Sequence, residues 1–186
     1  TTATLAAGDL VINGVSIDAS RAADDTASDT TANSSSRSNS AISIAAAINR
    51  SSAQTGVAAT ANATTVTGTS TGAVAGTAAI TINGVAISTV TVGAAPTAAD
   101  IEAARTTAVD AINARSGQTG VTAADNGTSI TLSAADGRNV AISVVEGAAG
   151  TAATIGLGGT TNIGIGVHAA HAVTASGTVT LSSARE

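Results

Sequence analysis

The sequence has no Cys, Met, Phe, Tyr or Trp, and it has a single Pro among 186 residues. It also lacks Lys, so all seven basic residues are Arg. Without Cys the chain forms no disulfide and offers no thiolate to a metal. Aromatic and Met side chains build most small-molecule pockets and tight interfaces, so their absence argues against both.

Charge and hydropathy give further exclusions. The net charge is −5 and the pI is near 4.7, with no basic cluster, which argues against nucleic acid or an anionic membrane as partner. No run approaches the ~20 apolar residues that span a bilayer. The start lacks a basic stretch followed by an apolar one, so we expect no signal peptide here. A first residue other than Met suggests an excised fragment.

The chain does contain a supply of Ile and Val grouped with strand periodicity. Two similar strings, VINGVSI at 11–17 and TINGVAI at 81–87, each place Asn-Gly between alternating apolar residues. That pattern predicts a tight hairpin with a type I′ turn, at Asn13-Gly14 and again at Asn83-Gly84. The expected facing pairs are Ile12 with Val15, Leu10 with Ile17, Ile82 with Val85, and Ile80 with Ile87.

Each hairpin precedes a helical pattern. The second repeat predicts a helix over 98-115, with Thr97 as N-cap, Asp100 closing a capping box and Gly117 near the stop. Its apolar stripe is Ile101, Ala104, Ala108 and Ile112. The first repeat predicts a helix over 39-52, capped by Asn39 or Ser40, with Ile44 and Ile48 on its buried face. The phrases AIN and QTGV recur after each hairpin, at 47–49 and 54–57, then at 111–113 and 118–121.

A third Asn-Gly, Asn126-Gly127, predicts another turn. A two-residue loop there pairs Ala123 with Ile130 and Val121 with Leu132. An odd loop around Asp136 and Gly137 then sets Leu132 opposite Ile142 and keeps one face apolar. Each repeat therefore comprises a hairpin, a helix and further antiparallel strands, which predicts a β-rich α+β fold.

The sequence divides into three parts. Residues 1-76 form the first repeat, which includes a long polar loop over 18-39, and residues 77-146 form the second. Residues 147-186 are rich in Gly, Ala and Thr, and GTVTLSS at 177–183 predicts a closing strand.

Four groups of residues are candidates for chemical sites, and none makes a convincing one. His168 and His171 could share a helix face and bind a metal, but no carboxylate or thiolate completes the set. Asp18, Asp24, Asp25 and Asp29 lack the spacing of a calcium loop, so a solvated loop is favoured. GLGG at 156–159 resembles a phosphate-binding loop, but the TTNIGIGV after it favours a flexible linker. Ser is plentiful, but two histidines near the C-terminus are a thin supply of bases for a serine nucleophile, so we expect no catalytic, cofactor or metal site and no enzyme activity.

The order INGV, a helix ending in AIN, TGV(A/T)A and ITLSAADGRNVAI resembles the hook IN motif of bacterial flagellins. Two copies cover roughly 8–62 and 78–145, and the final GTVTLSSARE is similar to the strand that returns to the flagellin helical core. The heptad-patterned terminal helices of that family are missing from this sequence. The resemblance therefore implies the central variable outer domain of a flagellin, without its polymerising core.

The resemblance also implies a function. It implies a structural role on the surface of the flagellar filament, in motility and as an antigen, outside the cell after secretion. Partners would be other flagellin subunits, reached through the helical core, and host or antibody molecules; the isolated domain is expected to be a monomer. Exposed Ser and Thr are candidate O-glycan acceptors, or simply residues that keep the surface soluble. The alternatives are a hook-associated junction or cap protein, or an adhesin or carbohydrate-binding module.

Overall fold

A computed structural model describes residues 4–31, 35–159 and 170–183 of the chain. This part is a β-rich α+β fold, which confirms the fold class predicted from the sequence. Its strands are β1 (Val11–Ile12), β2 (Val15–Ser16), β3 (Val57–Ala61), β4 (Thr64–Thr67), β5 (Gly76–Ile82), β6 (Val85–Val92), β7 (Thr122–Asp125), β8 (Ile130–Ala134), β9 (Val140–Glu146), β10 (Ala170–Ala175) and β11 (Val179–Ser183).

The helices are short, apart from one. They are α1 (Ala41–Asn49), α2 (Ser52–Thr55), α3 (Ala98–Ala114), α4 (Ser116–Thr119) and α5 (Thr151–Thr154). The polar loop adds two 3₁₀ turns, Ala22–Asp24 and Arg37–Asn39. In the described residues, no helix has both the length and the apolar character needed to cross a membrane.

The strands pair into antiparallel sheets whose order does not follow the sequence. β1 pairs with β2, and β11 pairs with β3. A three-stranded sheet has the order β4-β8-β7, and a four-stranded sheet has the order β10-β9-β5-β6. The closing strand predicted at 177–183 is therefore present, and it lies beside β3.

Two hydrophobic cores divide these elements into two units. The outer unit comprises residues 5–17, 40–61 and 179–183, around a small core of Ile17, Ala45, Ala47, Ile48 and Ala59. The inner unit comprises the described residues of 64–175, whose larger core includes Ile80, Ile82, Ile112, Ile130, Leu132, Ile142 and Leu157. Pairing thus crosses the division made along the sequence: β4 of the first repeat joins β8, and the last strand joins the first repeat.

The hairpin predictions are confirmed next to the turns. Ile12 lies opposite Val15, and Ile82 lies opposite Val85. Leu10 also faces Ile17, whose N–H donates to the Leu10 carbonyl at 2.9 Å.

The prediction that Ile80 faces Ile87 is wrong. The register shifts between Ile80 and Thr81, so that Ile80 lies opposite Ser88. A β-bulge of this kind adds a residue to one strand and leaves no composition signal that fixes its position.

The helix predictions hold with adjusted ends. Thr97 and Asp100 form the predicted capping box on α3, and Ser40 caps α1 by accepting the Ser43 N–H at 3.1 Å. Gly117 does not end the helical region, because it lies within the next helical turn, α4. The left-handed residue is Gly120, with φ of 70°.

The pairing predictions around the third turn are wrong. Asn126 does not adopt positive φ, as a type I′ turn would require, and its N–H instead donates to the Ser129 carbonyl at 2.8 Å. The loop is therefore longer: Leu132 lies opposite Ala123 instead of Val121, and Ile130 lies opposite Asp125 instead of Ala123. The side-chain face stays the same, because the register moves by an even number of residues.

The other error concerns Leu132 and Ile142. β8 and β9 do not form a hairpin, since β8 lies between β4 and β7 while β9 lies between β10 and β5. The two side chains still share the inner core, but they come from two different sheets.

Candidate functional site

The Asn-Gly turns of the two repeats have the same geometry and the same anchor. Asn13 and Asn83 have φ of 51° and 48°, and Gly14 and Gly84 have φ of 81° and 75°. Positive φ is easily reached by Gly and tolerated by Asn, which explains the dipeptide. Each Asn side chain then donates from Nδ2 to a backbone carbonyl at the end of a helix turn: Asn13 to Thr55 and Asn83 to Thr119, both at 2.8 Å.

The AIN phrase supplies a second anchor in each unit. Asn49 donates Nδ2 to the Ala59 carbonyl at 2.8 Å and accepts the Ala59 N–H on Oδ1 at 2.7 Å. Asn113 does the same to Ala123, at 3.0 and 2.8 Å. An amide side chain matches a peptide group with one donor and one acceptor, so each Asn fixes the strand after its helix as a neighbouring strand would.

The QTGV phrase makes the link between helix and strand. Thr55 Oγ1 accepts the Val57 N–H at 3.1 Å, and Thr119 Oγ1 accepts the Val121 N–H at the same distance. The glycine between them, Gly56 or Gly120, has φ of 70° and ψ of 14° in both units. The repeated phrases therefore perform the same structural tasks twice.

The last strand completes the outer unit. β11 pairs with β3 as β8 pairs with β7, so that Leu181 lies opposite Ala59 and Leu132 lies opposite Ala123. The sequences are also similar, with VTLSSA at 179–184 and ITLSAA at 130–135. The outer unit is thus split in sequence: its chain leaves after β3, builds the inner unit and returns as β11. Sequence reasoning missed this nesting, although the VTLSSA match is the signal that could have revealed it.

The point where the inner unit joins the outer unit is a narrow neck. Asn62 donates its backbone N–H to the Thr178 carbonyl at 2.8 Å and its Nδ2 to Thr178 Oγ1 at 3.0 Å. Thr180 Oγ1 then donates to Asn62 Oδ1 at 3.0 Å. Asn62 therefore ties the outgoing and returning strands together.

The polar loop over 18-39 also connects the two units. Ser28 Oγ accepts the N–H of Asn139 at 2.9 Å, and Asn139 Nδ2 donates to the Ser36 carbonyl at 2.9 Å. Asn139 is fully buried by this contact. A Cβ added to Gly84 would lie 2.2 Å from Thr31 Oγ1, so the loop also packs closely on the inner hairpin turn.

The acidic residues of the loop have protein partners. Asp24 accepts Arg50 Nη1 at 2.6 Å, and Asp29 accepts the N–H of Thr31 at 3.0 Å. Asp25 is fully buried and accepts the N–H groups of Ala27 and Ser28 on Oδ1 at 2.8 and 2.9 Å. These aspartates shape the loop, and within its described residues they form no group that could hold a metal ion.

The pKa of Asp25 depends on its burial, on the nearby hydroxyls of Ser28 and Ser40 and on these N–H groups. Burial raises it, but the hydroxyls of Ser28 and Ser40 and the two backbone N–H groups stabilise the carboxylate. These hydrogen bonds outweigh the burial, and the pKa of Asp25 lies below its ordinary value.

The remaining candidate residues do not converge on a reactive centre. The backbone of His171 lies in β10 opposite Val144, and His168 lies outside the described residues. Among the residues that the structure describes, no group of three or more His, Asp or Glu could hold a metal ion.

GLGG at 156–159 packs against the inner core. Leu157 is fully buried, and a Cβ on Gly156 would lie 2.7 Å from the Ser129 Cα. The segment comes after the short helix α5 instead of a strand, which is not the context of a dinucleotide loop.

Two open clefts are lined by small residues. One, of about 350 Å³, lies between α2 and β11, and the other, of about 340 Å³, lies between β6 and α3. Their linings are Ser52, Gly56, Val57, Ala58, Ser182 and Ser183, and Thr91, Gly93, Ala94, Asp100, Ala103, Ala104 and Thr107. Neither has convergent polar groups around an apolar floor, so we assign no ligand to them.

The feature that organises the molecule is therefore the doubled unit with its neck. The turns Asn13-Gly14 and Asn83-Gly84 belong to it directly, whereas Asn126 and Gly127 lie in the β7–β8 loop, outside the doubled contacts. In comparisons with known proteins, no family model and no curated protein matches this chain.

Proposed function

We propose that the chain is the surface-exposed outer domain of a flagellin subunit, a structural part of the bacterial flagellar filament. In this role it has no catalytic chemistry, and it contributes a shaped, variable surface carried outside the cell. Its contacts with other subunits run through a helical core that this sequence does not include.

The observation that carries the proposal is the position of the two ends of the described chain. Leu5 and Val179 both pack against the small core of the outer unit. A domain inserted into a host subunit must leave and rejoin that subunit at one place, so its ends must lie on one body. The inner unit is joined to the outer unit at Asn62 and Thr178. In the subunit the outer unit then lies next to the host, and the inner unit extends away from the host.

The doubled motif gives a second line of support. The phrases on which the flagellin resemblance rests carry the equivalent hydrogen bonds of Asn13 and Asn83, and of Asn49 and Asn113. The resemblance thus concerns residues with defined structural tasks.

Gold-labelled antibodies raised against the domain test the proposal on isolated filaments of the native cell. Labelling along the whole filament is expected for a flagellin. Labelling only at the base or the tip would instead assign the domain to a junction or cap protein, and absence of labelling on flagella would overturn the proposal.

Deletion variants test whether the filament can assemble without this surface domain. A subunit lacking residues 5–183 should still polymerise, because the proposed filament contacts lie in the host core. A matched variant lacking only residues 64–176 keeps the outer unit and should form filaments with a thinner outer layer by electron microscopy. Loss of polymerisation in both variants would contradict the proposed role.

A further inference from the structure

The inner unit holds a strand that has no counterpart in the described outer unit. β9 pairs with β5 on the side opposite β6, with Ile142 opposite Ile82 and Ser143 opposite Thr81. The turn residue Asn83 extends this pairing, since its N–H donates to the Ala141 carbonyl and its Oδ1 accepts the Ala141 N–H, both at 2.8 Å. Asn83 thus binds β9 with its backbone and with its side chain.

Among the described residues, no strand lies beside the same edge of the outer unit. In the described chain β2 is the strand that pairs with β1, and no contact involves the backbone N–H or the Oδ1 of Asn13. Val11, the counterpart of Thr81, is 59% exposed. An unpaired strand edge of this kind is a template for another strand.

Burial of the hairpin shows the same difference. Ile80 and Ile82 are 2% and 0% exposed beneath the sheet that β9 completes. Their counterparts Leu10 and Ile12 are only partly buried, at the margin of the outer core. The outer unit therefore lacks both the hydrogen bonds and the apolar cover that β9 gives the inner unit.

We propose that the edge of β1 opposite β2 binds an extended strand, antiparallel to β1, in the position that β9 has in the inner unit. The occupant is the stretch of the same polypeptide that continues from β11. This rests on the proposed function, in which the chain continues past Glu186 into its host subunit.

The internal repeat identifies this occupant. β8 leads into β9 through residues 135–139, and β11 is the counterpart of β8 in pairing and in sequence. A chain that leaves β11 as it leaves β8 reaches the edge of β1. The occupant places an apolar residue opposite Ile12, as Ile142 lies opposite Ile82, and so covers Leu10 and Ile12.

The test uses the full chain with a copy of residues 138–146 (RNVAISVVE) appended after Glu186. Residues 184–186 then take the place of 135–137. Amide hydrogen exchange of Val11 and Asn13 is monitored by NMR. We expect both amides to exchange at least about tenfold more slowly than in the unextended chain, because the new strand accepts their hydrogen bonds.

The matched control carries Ser143→Pro in the appended copy only. The N–H of Ala141 points toward the hairpin edge, and that of the residue two positions on points the same way, so proline removes a bond to β1. The protection should be lost in this control. No protection in the extended chain, or equal protection with the proline copy, would overturn the proposal.

A concentration series on the unextended chain tests the competing occupant. If Val11 and Asn13 become protected as the protein concentration rises, the edge binds a second copy, and the assignment to the continuing chain is wrong. Neither result affects the antibody labelling of filaments, so the two proposals fail independently.

Discussion

Asn62 donates its backbone N–H to the carbonyl of Thr178 at 2.8 Å, although 116 residues separate them in the sequence. This bond sits where the chain leaves the outer unit and where it returns. It makes one unit an insertion in the other, whereas the sequence pattern predicts two repeats in tandem. The contacts that the repeats share, and those they do not, can each be tested by substitution.

Removing the strand anchor should destabilise both units. Asn113→Ala deletes two hydrogen bonds to Ala123 and should lower the free energy of unfolding by about 0.5–1.5 kcal/mol, because the backbone N–H and the carbonyl of Ala123 both lose their partner. Asn49→Ala should have a similar effect on the outer unit. Urea denaturation monitored by circular dichroism measures both.

The control for these variants is Asn126→Ala. Its side chain is exposed and donates only to the hydroxyls of Ser129 and Thr131, so a change within about 0.5 kcal/mol is expected. An equal loss of stability in all three variants would show that Asn49 and Asn113 stabilise the fold no more than Asn126 does.

The two turn glycines should differ when replaced. Gly14→Ala and Gly84→Ala both place a Cβ at positive φ, which costs about 1 kcal/mol. At Gly84 the Cβ also meets Thr31 Oγ1 at 2.2 Å, whereas Gly14 has open space around it. Gly84→Ala should therefore shift the thermal midpoint further; equal shifts would mean that the polar loop does not pack on this turn.

Equivalent leucines should also differ. Leu132 is fully buried in the inner core, while Leu181 is 48% exposed on β11. Leu132→Ala should cost about 2–5 kcal/mol and Leu181→Ala less than about 1 kcal/mol, as measured by chemical denaturation. A large loss at Leu181 in the isolated chain would show that β11 is already covered by another strand.

Asp25 should make stability depend on pH in the acid range. Because its pKa is lowered on folding from the ordinary 3.8, its stabilising effect is present above that value and is lost as the pH falls through the folded pKa. Asp25→Asn should cost about 1–2 kcal/mol at pH 7, and the difference from the unaltered chain should shrink below about pH 4.

Unfolding curves at pH 7 and pH 3 measure this effect. Asp110→Asn, at an exposed position on α3, is the matched control and should leave stability at both pH values nearly unchanged. A loss for Asp25→Asn that is constant across the pH range would contradict the assignment.

Sequence reasoning succeeds where the structure is set by neighbours in the chain. The turns at Asn13 and Asn83 and the capping box of Thr97 and Asp100 depend on backbone preferences within a few residues. The pairing of β3 with β11, and the place of β4 beside β8, depend on which distant strand covers an apolar face. By apolar periodicity alone, Leu132 or Leu181 could lie opposite Ala59, so the pattern does not determine which strand pairs with β3.

Part of the candidate site can be predicted from the sequence in the same way. The repeated AIN and QTGV phrases are visible in the sequence, but their tasks depend on side chains reaching across the fold, as Asn83 reaches both Thr119 and Ala141. Asn126 shows the opposite case, since an Asn-Gly dipeptide adopts a longer loop when Ser129 and Asp125 offer competing hydrogen bonds.

The nested connection also determines how mechanical load passes through the molecule. Tension applied to the two ends acts on the outer unit first, because both covalent connections to the inner unit lie behind the pair of β11 and β3. While the bonds of Asn62 with Thr178 and Thr180 hold, a pull on the two ends leaves the polypeptide of the inner unit unstretched.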